Sequence, residues 1–394
     1  MQDTVQTIGV AHAQTAQTAQ TVVIKIGTSS LTGSEGAGID ETAVTKICNE
    51  IHAARSAGHQ VVLVTSGAIA AGVSAAGLPE RPRDTVTLQA LSSVGQHRLM
   101  RVYDDAFSAL GATVGQVLLA PLDLSHRQQY LHARRTLSKL LELGVVPVVN
   151  ENDATSDDEI RLGDNDRLAA LVAHLVSADL LLLLTDTGGL FTADPRVEPE
   201  PSLIEEVVEV DKALMAMAGG PGSDVGSGGM AAKLQAAEIA SWSGVETVVA
   251  DAQRPDVVAD AIGRAAGVGT IFRARARRLS ARKLWIAFAM APFGTIVVDE
   301  GAVRALTEWE ASLLAAGVVA CHGDFSEDDA VEIVDRRGQL VGKGIARYGS
   351  GQLNSYAGLR TSELPSGVPQ EVVHRDDLVV LGGAPPAEPV RNGQ

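Results

Sequence analysis

From residue 21 onward, short apolar runs alternate with longer stretches in which apolar residues recur every three or four positions. Thr21–Ile26, Val61–Val64, Val114–Leu119, Val145–Val149 and Leu180–Leu184 have strand length, and Thr247–Val249 is extended in character. Runs that are apolar at every position belong to strands covered on both faces. Between them, Ile39–Ala57 sets Val44, Ile47, Cys48 and Ile51 on one helical face, with Asp40 placed to cap its start and Gly58 to end it. Thr85–Leu110, Asn165–Ser177 and Gly229–Trp242 have the same helical period. The alternation predicts an α/β fold, a three-layer αβα sandwich with a mainly parallel central sheet.

The pattern changes after a basic run of Arg273, Arg275, Arg277, Arg278, Arg282 and Lys283. Thr295–Val298, Val318–Val319, Val331–Val334, Gly344–Ala346 and Leu378–Leu381 are short strands separated by Gly, Asp and Ser turns, which predicts a small β-rich domain. The expected division is a tail over 1–20, an α/β domain over 21–275, a solvated basic linker over 276–286, a β-rich domain over 287–381 and a polar tail over 382–394. Residues 13–21 are three tandem Ala-Gln-Thr units, too polar and repetitive to build a core.

Composition narrows the function classes. A net charge of −16 disfavours nucleic acid and anionic membrane as partners. No apolar run reaches the ~20 residues of a membrane span, and the N-terminus shows no basic segment followed by an apolar core. Two cysteines offer neither a disulfide framework nor zinc spacing, and Cys48 falls in the apolar stripe of its helix. The expectation is a cytoplasmic protein.

The chemistry gathers in loops that follow strands, where parallel sheets bind ligands. VVIKIGTSS puts Lys25 at a strand end before a turn of small residues, and GSGGMAAKLQAA leads through Gly226, Gly228 and Gly229 into a helix presenting Lys233. Small residues and a helix N-terminus let backbone N–H groups approach an anion. Two such loops, each with a lysine, suggest cations on both sides of a phosphoryl group. TSGAIAAG places Ser66 and Gly67 after a strand; position 64 is Val, so a hydrolase nucleophile elbow fails. Ser66 then caps a helix or, with the Gly67 N–H, holds a carboxylate or phosphate. VVPVVNENDA ends a strand in Asn150, Glu151, Asn152 and Asp153, either a plain turn or a binding site, and GDND carries Asn165 and Asp166 into a helix. LLLLTDTGGLFTADPR sets Thr185 and Asp186 at another strand end. No Gly-x-x-x-x-Gly-Lys-[Ser/Thr] occurs, so a P-loop is excluded. His374-Arg375-Asp376 lacks the rest of a protein-kinase catalytic loop.

Taken in order and spacing, KIGTSSLT, VTSGAIAAG, VVPVVNENDA, GDND, LLLLTDTGGLFTADPR and GSGGMAAKLQAA resemble the amino acid kinase family, over about Thr21 to Leu381. IVVDEGA, GDFSEDDAVEI and AVRALTEWEASLLAAGV resemble the PUA domain that many such kinases carry. Ser227 and Ala232 stand where threonines are common in the family. Within it the resemblance points to the members that phosphorylate the side-chain carboxylate of L-glutamate, the first step of proline synthesis.

The resemblance implies ATP as substrate with Mg²⁺, no organic cofactor, and no assignable metal ligands. Lys25 and Lys233 are implied to flank the γ-phosphoryl, with Asp166 orienting both. Ser66, Gly67, Asp153 and Asn165 match the glutamate-binding positions, Asp153 at the α-ammonium and Asn165 at a carboxylate. Lys25, Thr185, Asp186, Ser227, Gly228, Gly229, Met230, Ala231, Ala232 and Lys233 match the ATP-binding positions. Proline is an expected inhibitor, competing with glutamate and told apart by the 155–162 loop with Asp157, Asp158 and Glu159. A homo-oligomer and hand-off of the labile product to the next enzyme are implied as well. The chemistry agrees: a glutamate side chain is already an anion at pH 7, so no general base is needed, and phosphoryl transfer is mainly positioning and charge stabilisation.

Two alternatives remain at this level. One is an RNA-binding or RNA-modifying protein, since PUA domains occur in those; but Trp285 to Val380 holds seven Lys and Arg against fourteen Asp and Glu, a poor phosphate-binding surface. The other is a kinase of the same family acting on acetylglutamate, aspartate, carbamate or a nucleotide, against which NENDA, GDND and the second domain argue. Since all catalytic candidates precede Arg278, a fragment ending there is expected to fold and retain activity.

Overall fold

A computed structural model describes residues 18–32, 38–120, 123–124, 126–155, 165–193, 201–218, 229–276 and 278–382. Most of the Ala-Gln-Thr repeats, the 156–162 part of the proposed discriminating loop, Ser227, Gly228 and the tail beyond 382 lie outside them.

The first domain is built on strands β1 (Thr21–Ile26), β2 (Gln60–Val64), β3 (Val114–Leu119), β4 (Val146–Glu151), β5 (Leu180–Thr185), β6 (Glu206–Val207), β7 (Glu246–Asp251) and β8 (Thr270–Phe272). They form one sheet in the order β3-β4-β2-β1-β5-β7-β8-β6. The six strands from β3 to β7 in that order are parallel, and β8 runs antiparallel to β7. The helices are α1 (Thr28–Leu31), α2 (Glu41–Ser56), α3 (Ala68–Ala75), α4 (Thr85–Ala109), α5 (Arg127–Glu142), α6 (Asp166–Leu175), α7 (Lys212–Met217), α8 (Met230–Trp242) and α9 (Val257–Gly263). Asp40 caps α2 through the N–H groups of Thr42 and Ala43, as its position predicts.

The apolar runs are explained by the sheet's two covered faces. Val22, Ile24 and Ile26 of β1, Val61 and Leu63 of β2, and Leu180, Leu182 and Leu184 of β5 enter one core with α2, α4 and α9. Val23, Val62, Val64, Leu181 and Leu183 enter the opposite core with α5, α6 and α8. Alternate residues of a strand point to opposite faces, so a strand covered on both sides must be apolar throughout. Cys48 is fully buried in the first core, and burial pushes its thiol up to about 12, as befits a packing residue. The strands β6 and β8 are too short and too mixed in sequence for periodicity to reveal.

The second domain comprises β9 (Gly294–Val298), α10 (Glu300–Trp309), β10 (Leu313–Leu314), β11 (Val318–Gly323), β12 (Ala330–Val334), β13 (Leu340–Ile345), α11 (Ser350–Tyr356), β14 (Glu371–Val373) and β15 (Leu378–Val380). Five strands pair in the order β11-β9-β12-β13-β15, and β10 pairs with β14. Its core, with Ile296, Val331, Ile333 and Tyr348, is separate from those of the first domain.

The connection differs from the solvated basic linker expected for 276–286. Three cations of the basic run are paired: Arg273 with Glu206 and Glu246 and Arg275 with Glu209 just before that segment, and Arg282 within it with Asp377. Arg275 also lies over the Trp242 ring at 3.9 Å. Ala281–Leu284 is helical and Trp285–Ala289 continues as a π-turn. Trp285 and Phe288 pack on the core beneath α6 and α8, while Ile286 and Ala287 are buried with Ile345 and Val379 of the second domain. Arg167 on α6 donates to the Phe288 carbonyl at 2.7 Å, and buried Lys343 on β13 donates to those of Ala287 and Met290. A sequence pattern of charges cannot show that acids distant in the chain meet them.

A fragment ending at Arg278 therefore loses two aromatic contacts with the first domain. It is expected to melt several degrees below one ending at Met290, each partly buried ring contributing on the order of 1–2 kcal/mol. Thermal melts of the two fragments check this; equal melting temperatures would show that the connector does not support the first domain.

Candidate active site

The site lies at the carboxyl edge of the sheet, beside β1, where the chain order reverses: β2 lies on one side of β1 and β5 on the other. Lys25 pairs in register with Val64 and Leu183. It shares the parity of Val23, so its side chain leaves on the face covered by α6 and α8. These two helices have fully buried alanines, Ala169, Ala170 and Ala173 on one and Ala236, Ala237 and Ala240 on the other, and they pack closely. Close packing brings their N-terminal turns together, Asp166 opening α6 and Lys233 in the first turns of α8.

The result is a buried triad. Lys25 Nζ lies 2.6 Å from Asp166 Oδ1 and Lys233 Nζ 3.1 Å from Asp166 Oδ2. Asp166 is 0% exposed, Lys25 3% and Lys233 5%. In water such pairs are worth little; buried, the carboxylate holds two ammoniums that would otherwise be driven out or neutralised. Gly27 lies against the Lys25 ammonium, where an added Cβ would stand 3.5 Å from Nζ. The first turn of α8 starts at Gly229 with no side-chain cap, which leaves N–H groups for an anion. Met230, Ala231 and Ala232 form that turn. Thr185 ends β5 and bonds Asp186 at 3.1 Å.

A second group of residues flanks the triad. Ser66 and Gly67 follow β2, Gly67 in the left-handed region at φ 103° that suits glycine. They line a cleft of about 610 Å³ with Thr28, Asn150, Asp153 and Asn165. Asn165 Nδ2 donates to Thr65 O at 2.6 Å and to Asn150 Oδ1 at 2.7 Å, with Ser66 Oγ at 3.3 Å. Burial pushes the Asp153 carboxyl up to about 7; Glu151 adds to the rise and Arg81 opposes it. An expected carboxylate contact by Asn165 needs a donor, but both hydrogens of its nitrogen have acceptors inside the protein. Its Oδ1 is the atom left for a ligand.

All predicted site residues within the described segments thus converge on one edge. Asn150 has a structural part that its place in a polar turn did not reveal. Gln96 on α4 was not singled out at all, although a glutamine in the buried stripe of Leu88, Leu91, Leu99 and Tyr103 is a legible signal. Among the described residues no group of three or more His, Cys, Asp or Glu side chains is placed to hold a metal ion. No helix there is long and apolar enough to cross a membrane.

Removing either lysine leaves Asp166 with the other, whereas removing Asp166 takes away the carboxylate that both buried ammoniums share. Lys25→Met and Lys233→Met are expected to stay folded and lose about 10²–10³-fold or more in turnover. Asp166→Ala is expected to lose about 3–5 kcal/mol of stability. Denaturant melts and kinetics on the three variants check this; equal stability of all three would remove Asp166 from its role as holder of the pair.

Residues 20–251 match the amino acid kinase family and residues 294–368 the PUA domain. Among curated relatives, a glutamate 5-kinase of Cyanothece sp. is 44% identical over 366 residues, 92% of this chain and 99% of the relative. One of Moorella thermoacetica is 45% identical over 371 residues, 92% of this chain and 97% of the relative. One of Escherichia coli is 43% identical over 364 residues, 91% and 98% respectively.

Proposed function

The chain belongs to the amino acid kinase family, and on that premise we propose that it transfers the γ-phosphoryl group of ATP to the side-chain carboxylate of L-glutamate. A carboxylate oxygen bonds to the γ-phosphorus, the bond from that phosphorus to the β-γ bridging oxygen breaks, and ADP leaves with the electron pair. The products are L-glutamyl 5-phosphate and ADP, the opening step of proline synthesis from glutamate. The observation that carries the reading is the buried Lys25–Asp166–Lys233 triad beside a polar cleft.

The triad meets the main difficulty of the reaction, bringing an anionic nucleophile to an anionic phosphate. Two ammoniums fixed in advance stabilise the charge that develops on the transferring group without reorganising. The open first turn of α8, with Thr185 and Asp186 at the β5 end, suits the nucleotide. Ser227 and Gly228 are assigned to it by resemblance. Mg²⁺ arrives with the phosphates, whose oxygens it commonly prefers to an all-protein cage, and supplies further charge neutralisation. On the other side, the Ser66 hydroxyl and Gly67 N–H suit the α-carboxylate, and Asp153 with Asn165 Oδ1 suits the α-ammonium. The acyl phosphate is prone to hydrolysis, which favours hand-off to the next enzyme. A homo-oligomer belongs to the same reading.

ADP release measured over a panel of glutamate, aspartate, N-acetylglutamate, carbamate and nucleoside monophosphates tests the proposal. Glutamate is expected to be preferred by at least about tenfold, or 1.4 kcal/mol; activity confined to another substrate would overturn it.

Asp153 gives the site a pH signature. Burial keeps its carboxyl neutral below about 7, so kcat/KM for glutamate is expected to fall as pH drops from 8 to 6, with kcat/KM for ATP little changed. The linked stability has the opposite sense: a raised carboxyl favours the protonated fold, so that contribution is lost as pH rises through 7. Asp153→Asn is therefore expected to melt about 2–4 °C higher than the parent at pH 8 while losing glutamate affinity. A flat glutamate profile would remove Asp153 from the ammonium site.

Proline shares the α-carboxylate and cationic nitrogen but has no side-chain carboxylate to react. Competitive inhibition against glutamate is expected in saturation curves at rising proline. Inhibition that glutamate does not relieve would place proline elsewhere.

A further inference from the structure

We propose that Gln96, on a helix that contributes no motif residue, is a positioning residue that holds the Asn150–Asn165 amide pair of the amino acid subsite in place. The proposal rests on the function proposed above and names a residue that determines its specificity.

The polarity is anchored by one atom. The Thr65 carbonyl can only accept, so the Asn165 side-chain atom 2.6 Å from it is the nitrogen. That nitrogen then requires an acceptor from Asn150, which turns Asn150 Oδ1 toward it at 2.7 Å. Asn150 Nδ2 is thereby turned to Gln96, whose Oε1 accepts it at 2.7 Å. Each amide in the series fixes the orientation of the next. Asn165 and Asp153 both line the cleft, and with the Asn165 nitrogen engaged its Oδ1 is the acceptor left for a ligand. Two acceptors select a cationic nitrogen.

The arrangement carries a local penalty. Gln96 is 8% exposed, and its Nε2 is buried with no hydrogen-bond partner among the described residues. An orphaned buried donor is destabilising. A methionine or leucine would suit the apolar stripe of α4 better, so packing alone does not account for a glutamine here. The backbone brings it into reach. Gly72 on α3 and Gly95 on α4 cross so closely that a Cβ at Gly95 would collide with the Ala68 carbonyl, and one at Gly72 with that of Leu91. α3 begins directly after Ser66 and Gly67, so this crossing seats α4 against the cleft wall with Gln96 next to the contact.

Gln96→Met keeps volume and apolar character and removes the acceptor. Glutamate turnover by the parent, measured first, tests the function reading separately. The variant is expected to melt within a few degrees of the parent and to raise KM for glutamate about tenfold or more, an effect of one lost orienting hydrogen bond. KM for ATP and kcat should stay within about threefold. The preference for glutamate over glutarate, which lacks the ammonium, should shrink, because an Asn150 without its Gln96 acceptor no longer holds Asn165 firmly in place for the ammonium. Gln96→Glu keeps the acceptor oxygen and should restore KM for glutamate to within about threefold of the parent. A parent active on glutamate with an unchanged KM and glutarate preference in Gln96→Met overturns the positioning role. So does a loss of kcat and melting temperature together without a shift in glutarate preference. If Gln96→Met does not fold, Gln96→Glu carries the test, and a tenfold rise of its glutamate KM overturns the proposal.

Discussion

One buried carboxylate holds the catalytic edge together. Asp166 takes the ammoniums of Lys25 and Lys233 on its two oxygens, and each comes from a different element of the sheet-and-helix framework. Placing three charges out of water is unfavourable unless they satisfy one another. The need to satisfy them ties the end of β1 to the starts of α6 and α8. The rest of the first domain serves that meeting: strand parity aims Lys25, and buried alanines let the helices approach.

The cleft side shows a different physical constraint, the fixed polarity of amides. A single backbone acceptor, Thr65 O, sets the orientation of Asn165 and through it of Asn150 and Gln96. Asp153 adds a carboxyl whose burial disfavours its charge until a cation meets it. Both features are locally unfavourable in the empty protein, an orphaned amide in one case and a desolvated acid in the other. Such departures from local optimum concentrate at functional sites, and here they border the same cleft.

The connector gives the second domain a physical tie to the catalytic helix. Arg167, next to Asp166, and Lys343 of the second domain hold carbonyls of the same short helical turn. Arg273, Arg275 and Arg282 of the basic run are engaged by nearby acids.

The sequence by itself determined the sheet-forming runs and the capped helix at Asp40, showed a change of pattern after the basic run, and singled out Lys25, Ser66, Asp153, Asn165, Asp166 and Lys233 as candidates. Strand and helix periods are local properties, and glycine-framed lysines at strand ends stand out in one dimension. It also led, through resemblance, to the family. Tertiary structure alone decided which lysine meets which carboxylate oxygen, because residues 25, 166 and 233 come together only when the sheet closes. It decided that Asn165 offers an acceptor, since that depends on Thr65 O one hundred residues away. It decided that Gln96 reaches Asn150, because the Gly72–Gly95 crossing is a contact between helices. And it decided that the basic segment is a paired, half-buried connector, since charge in a sequence says nothing of the acids folded beside it.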